Sequence, residues 1–163
     1  TGSTGLYDRL TVTEMVKYFA DLFDVAPADY KARRQRIFDL LDMHGFADKR
    51  CGTLSTGMKQ KASIARTMIH DPQVVVFDEP TSGLDVITAE NIINLVNQLR
   101  TEGKTVIFSS HNMSEVDLLA DDLAIIHRGQ LLINGTMDQF RSQMQDPSLT
   151  KEFMRIIQSA PKP

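Results

Sequence analysis

Residues 74–85 read Val-Val-Val-Phe-Asp-Glu-Pro-Thr-Ser-Gly-Leu-Asp. The apolar run Val74 to Phe77 is strand-sized and β-branched, and Asp78 and Glu79 follow it without a break. Adjacent carboxylates at the end of a buried strand are costly to hold, because burial disfavours an ionised oxygen that lacks a partner. In open parallel sheets, ligands bind beyond the carboxyl ends of the strands. Successive residues there point in different directions, so the two acids can take separate tasks. Taken alone, the pair reads equally well as helix-capping or turn carboxylates.

The surrounding pattern turns from helices to alternation at this point. Upstream, Thr11-Val12-Thr13-Glu14 has the form of a capping box, and Met15, Phe19, Leu22 and Phe23 recur at helical spacing. This predicts a helix over about 12–24. Pro27 interrupts, and a second helix carries Tyr30, Ile37, Leu40 and Leu41, with Arg33, Arg34 and Arg36 forming a solvated basic face. A third helix runs from near Ser55 to His70 and ends at Asp71-Pro72. Then follow a strand (74–77), a helix (86–100), a strand (105–109), a short helix (113–120), a strand (123–127) and, after a turn at Arg128-Gly129, a strand over 130–133. A helical tail starts at about Met137 and frays at Ala160-Pro161-Lys162-Pro163. Alternating elements with apolar strands imply an α/β fold, a mostly parallel sheet covered by helices.

Bulk properties narrow the class. The 163 residues suffice for one domain, and 42% hydrophobic with 24% charged is an ordinary globular balance. A net charge of -3 argues against a nucleic-acid partner, which calls for a basic surplus. The single cysteine, Cys51, excludes an internal disulfide and reads as a small semi-apolar filler. No apolar run approaches the roughly 18 residues of a membrane-spanning helix. His44, His70 and His127 have no companions suited to a metal site.

Three further features share the order of the acidic pair. Ser55, Thr56 and Gly57 stand at the start of the third helix, where free N–H groups can meet an anion, although Ser55 also reads as a plain N-cap. Gly83 permits a tight loop, and Asp85 can cap the helix after it. His111 follows the strand 105–109.

This constellation resembles the ATP-binding subunit of ABC transporters across nearly the whole chain. Leu54-Ser55-Thr56-Gly57-Met58 is similar to the signature motif, Val74 to Glu79 to Walker B, Ser82 to Asp85 to the D-loop, and His111 to the switch histidine. The resemblance implies a partial P-loop NTPase-like domain with the helical subdomain and signature helix over about 1–70. Walker B, the D-loop and the switch histidine would then lie within about 71–135, and C-terminal helices within about 136–163. It implies ATP and Mg2+ as ligands, with Asp78 holding Mg2+ mostly through water and Glu79 the general base. His111 and, from the opposite subunit, Ser55 and Gly57 would contact the γ-phosphate, and Asp85 would communicate across the dimer. A second nucleotide-binding subunit and a membrane-spanning subunit are the implied partners, with the protein cytoplasmic and peripheral on the inner face of the membrane.

The chain departs from the family pattern at Thr56 and Met58, which replace the usual Gly and Gln of the signature. Thr56 is acceptable if it already lies in helical backbone. Signatures of this form occur in exporter-type ATPases such as the NatA-like sodium exporters and their drug-exporting relatives. A Gly-x-x-x-x-Gly-Lys-Ser/Thr loop occurs nowhere in the chain, and Thr1 to Gly5, which correspond to the end of the Q-loop, contain no Gln. The expectation is an N-terminally truncated domain that by itself turns over no ATP. The alternatives are a non-catalytic regulatory module, or a soluble ABC ATPase acting on nucleic acid or ribosomes.

Overall fold

The capping box at Thr11 forms as the sequence predicts. Thr11 Oγ1 accepts the Glu14 N–H at 3.2 Å, Glu14 Oε2 accepts the Thr11 N–H at 2.8 Å, and α1 runs from there (Val12–Leu22). These coordinates are a computed structural model that describes residues 5–160, so Thr1 to Thr4 and Pro161 to Pro163 lie outside the described residues. Two compact units divide the chain, Thr1–Ser109 and Ser110–Pro163.

In the first unit, α1 buries Val12, Met15, Val16 and Ala20. Phe23, expected with them in the core, is instead 50% exposed at the helix C-cap and stacks on His70, ring centres 4.0 Å apart. Helix α2 (Pro27–Leu40) begins at the proline itself, where a missing N–H costs nothing. Its arginines are partnered as well as solvated, Arg36 exposed and Arg33 and Arg34 half-buried. Arg33 donates to Ile69 O and lies 3.9 Å from Asp71, Arg34 lies over the Phe38 ring at 4.6 Å and donates to Thr13 Oγ1, and Arg36 pairs with Glu102. A one-dimensional charge run cannot reveal the polar partners, which are 21 to 66 residues away, although Phe38 stands on α2 itself. Cys51 is fully buried, 3.7 Å from Met15 Sδ, and burial raises its thiol pKa. Helix α3 (Thr56–Met68) packs against both α1 and α2.

Strands β1 (Val74–Asp78) and β2 (Thr105–Ser109) pair in parallel, joined through α4 (Val86–Thr101). The register runs from Val74↔Thr105 to Asp78↔Ser109, so both strands end level. Helix α4 buries Ile92, Leu95, Val96 and Leu99 and packs on β2. Only one face of this sheet is covered. Val75 and Phe77 are buried, whereas Val74 and Val76 are 56% and 67% exposed and Ile107 is 56% exposed. In this chain the exposure alternates with the strand period, since successive side chains point to opposite faces. At the opposite end of the pair, Lys104 Nζ donates to Asp71 Oδ1 at 2.5 Å and to Pro72 O at 3.0 Å, and this bond holds the Asp71 carboxyl below its usual range.

The second unit holds α5 (Met113–Leu119), the strands β3 (Asp122–His127) and β4 (Gln130–Thr136), then α6 (Met137–Gln143) and α7 (Leu149–Ser159). β3 and β4 form an antiparallel hairpin, so parallel pairing is confined to β1 and β2 among the described residues. Arg128 and Gly129 both take positive φ, 50° and 77°, as a tight two-residue hairpin turn demands. Ile125, Met137 and Phe140 form the core, lined by Val116, Leu132, Phe153 and Ile156 among others. The tail is two helices, and Glu152 pins the turn between them. It accepts from the Gln145 and Asp146 N–H groups at 3.2 and 3.4 Å and from Arg155 at 2.5 and 3.1 Å.

Candidate functional site

Level strand ends set the geometry of the acidic pair. Asp78 is the last residue of β1, and Ser109, its register partner, is the last of β2. Ser109 Oγ donates to Asp78 Oδ1 at 2.7 Å and accepts the Glu79 N–H at 2.9 Å. The same N–H also reaches Ser109 O at 3.2 Å, extending the ladder one residue beyond the strand. Glu79 then turns out of the sheet with φ of 43°, a left-handed conformation that costs a non-glycine residue on the order of 1 kcal/mol or more. Asp78 and Glu79 are both solvent-exposed, and the φ reversal between them sends the chain in a new direction at the sheet's carboxyl edge.

The exposed Asp78 carboxylate suits a hard cation. Mg2+ takes one or two protein carboxylates and fills its remaining positions with waters and phosphate oxygens. No group of three or more His, Cys, Asp or Glu side chains placed to hold a metal occurs among the described residues.

From Glu79 the loop closes through Ser82 N–H to Glu79 O and Leu84 N–H to Thr81 O, both 3.2 Å, with Gly83 at φ 70°. Asp85 caps α4: Oδ1 accepts the Thr88 N–H at 2.9 Å and Oδ2 the Thr88 hydroxyl at 2.8 Å. These bonds, the backbone one foremost, lower the Asp85 pKa. Thr88 also faces α3, since a Cβ built on Gly57 would stand 3.4 Å from its Oγ1 and Cγ2. A single buried threonine therefore bonds to Asp85 and lies where a side chain at position 57 would meet it. Ser55 is the N-cap of α3, its Oγ accepting the Met58 N–H at 3.3 Å, and Thr56 is the first helical residue. Thr56 is absent from the positive-φ residues, so threonine fits there without strain. Ser55 and Thr56 are exposed and Gly57 is partly so.

His111 belongs to the second unit and is exposed. Its loop is shaped by Glu115, which is 7% exposed: Oε2 accepts the Ser110 hydroxyl at 3.0 Å and Oε1 accepts from Asn112 Nδ2 at 3.0 Å. Asn112 N–H in turn donates to Ser110 Oγ at 3.0 Å.

The structure thus brings Asp78 and Glu79 together through Ser109, and places Gly57 within reach of the Asp85 cap through Thr88. Ser109, Thr88 and Glu115 escaped the sequence reading. For Ser109 the sequence carries a partial signal, since it ends the strand expected over 105–109 as the acidic pair ends the strand before it.

The family model for the ABC transporter matches residues 3–82. The ABC transporter ATP-binding protein NatA of Bacillus subtilis is 39% identical over 153 residues, covering 94% of this chain and 62% of that protein. The linearmycin resistance ATP-binding protein LnrL of the same organism is 31% identical over 139 residues, 85% of this chain and 45% of its own length. The chain therefore spans less than two thirds of either relative. A solved structure described as an ATP-binding subunit of an ABC transporter superposes with a TM-score of 0.86 at 24% identity, over 96% of this chain and 66% of that one. That likeness shows the same α/β fold.

Proposed function

Because this chain belongs to the ATP-binding domain family of ABC transporters, we propose that it is the signature-to-switch portion of a subunit that binds and hydrolyses ATP to power export through a separate membrane-spanning partner. One observation carries the reading: the in-register end of β1 and β2, which presents Asp78 and Glu79 side by side at the carboxyl edge of a parallel sheet. The export direction is supported by the resemblance of the signature to exporter-type ATPases and by the resistance named for LnrL.

Asp78 would hold Mg2+ through water, and the ion would neutralise charge on the phosphates. Glu79, turned out of the sheet into solvent, would accept the proton of the attacking water. His111 would contact the γ-phosphate. Ser55, Thr56 and Gly57 open α3 with exposed N–H groups and would meet the γ-phosphate held by a second nucleotide-binding subunit. Asp85, locked to Thr88 and through it beside Gly57, would carry the state of one site towards the other. The helical region over about 1–70 and the strand region over about 71–135 would act as the two subdomains, on the cytoplasmic face of the membrane.

The phosphate-cradling loop is assigned to sequence outside these residues, since none of the chain matches its pattern and the relatives are longer. Without that nest of N–H groups and its lysine, triphosphate affinity is largely lost. Calorimetric titration of Mg-ATP tests this. The full-length protein should bind with micromolar affinity and hydrolyse ATP, while the 163-residue chain should show no heat of binding. Micromolar binding by the chain alone would refute the division of labour, and absence of binding by the full-length protein would refute the function.

A further inference from the structure

We propose that Ser109 is a positioning residue for both acids, setting the Asp78 carboxylate for its cation and the Glu79 backbone for its water; this rests on the ATPase reading above. A serine hydroxyl has one proton to give and lone pairs to receive. Here the proton goes to Asp78 Oδ1 at 2.7 Å, and a lone pair takes the Glu79 N–H at 2.9 Å. One side chain therefore fixes two consecutive residues of the neighbouring strand. The bond to Asp78 is charge-assisted, and it engages one carboxylate oxygen from the β2 side, which orients the group as a whole. The bond to Glu79 matters for a different reason. Glu79 sits at φ 43°, and a residue in that region persists only where its surroundings over-determine it. Two acceptors on one residue, Ser109 O at 3.2 Å and Oγ at 2.9 Å, supply that constraint.

Ser109 touches neither the nucleotide nor the water in this assignment, and it acts by holding those residues that do. Outer-shell partners of this kind commonly change metal affinity by about 10- to 100-fold when removed. Alanine would leave Asp78 without this donor and Glu79 N–H with the carbonyl alone. Threonine would keep the hydroxyl on a strand-compatible, β-branched frame.

The test uses the full-length protein with Mn2+ in place of Mg2+ and reads protein-bound Mn2+ in the ATP complex by electron paramagnetic resonance, beside steady-state turnover and the melting midpoint. Ser109→Ala should weaken Mn2+ binding about tenfold or more and lower kcat by a similar factor. Ser109→Thr should restore both to within about twofold, and neither change should move the midpoint by more than a few degrees. Should Ser109→Ala fail to fold, Ser109→Cys, close in volume and a weak donor, takes its place with the same expectation. Wild-type Mn2+ affinity in the variant lacking the hydroxyl, or failure of threonine to rescue, overturns the Ser109 role and leaves the ATPase reading standing. If the unaltered protein takes up no Mn2+–ATP at all, the ATPase reading falls and the Ser109 role falls with it.

Discussion

Two acidic positions in this molecule sit in opposite circumstances. Glu152, in the second unit, is 1% exposed and receives two backbone N–H groups and a two-pronged arginine. The Arg155 bonds foremost, then those N–H groups, hold its pKa down at about 2 from an ordinary 4.5. Glu79 lies open to water on a left-handed backbone. The first acid is satisfied by the fold and holds two helices at a set angle of approach. The second is held through its backbone, its N–H donating to Ser109 Oγ and O. A carboxylate that stabilises is enclosed by its donors, while one that reacts is kept within reach of solvent at some cost in strain.

The sharpest way to break this contrast is Glu79→Gln in the full-length protein. Turnover should fall by about 100-fold or more, while ATP binding and the melting midpoint stay put. Wild-type turnover would remove Glu79 from the base role. Next in size, Glu152→Ala should lower the midpoint further than loss of any exposed carboxylate, since it strands Arg155 and two backbone donors. Its pH dependence has a definite sign. A folded pKa below the ordinary value contributes stability that is complete above 4.5 and drains away as pH falls towards about 2, so acid titration should erase the gap between wild type and variant. Glu79→Gly should go the other way and raise stability by up to about 1 kcal/mol in denaturant melts, because glycine takes φ 43° without strain. A clear loss there would mean that the backbone at 79 stores no strain. The smallest effect is expected of Gly57→Ala. Its new Cβ meets Thr88 at 3.4 Å, ordinary contact, so folding stability should change by less than about 1 kcal/mol. Any loss of ATP-driven dimerisation in that variant, measured by light scattering, would then be assigned to the ligand face of α3.

Local signals were legible where the physics is local. The Thr11–Glu14 box, the Ser55 cap and the Asp85 cap are each written in three or four residues, and each forms. Element order and the Arg128-Gly129 turn read equally well, for the same reason. What the sequence hid depends on distant partners. The Arg33, Arg34 and Arg36 run reads as a solvated surface because its polar partners Asp71, Thr13 and Glu102 come from outside α2. Ser109 was passed over because its meaning lies in cross-strand register, and Thr88 because it looks like any helix residue until Gly57 is beside it. Leu22 and Phe23 follow the helical period and are still 59% and 50% exposed, because they stand at the last turn of α1 and its cap, where Phe23 stacks on His70.

The one-sided sheet has a practical corollary for anyone handling this polypeptide by itself. Val74, Val76 and Ile107 form an aliphatic surface in contact with water, and Val86 and Ile87, at the start of α4, are also 82% and 71% exposed. Such a surface invites chains to stick to one another as concentration rises. Sulfate and phosphate strengthen apolar association, so purification in those salts should bring the chain down early, and mild urea should keep it dispersed.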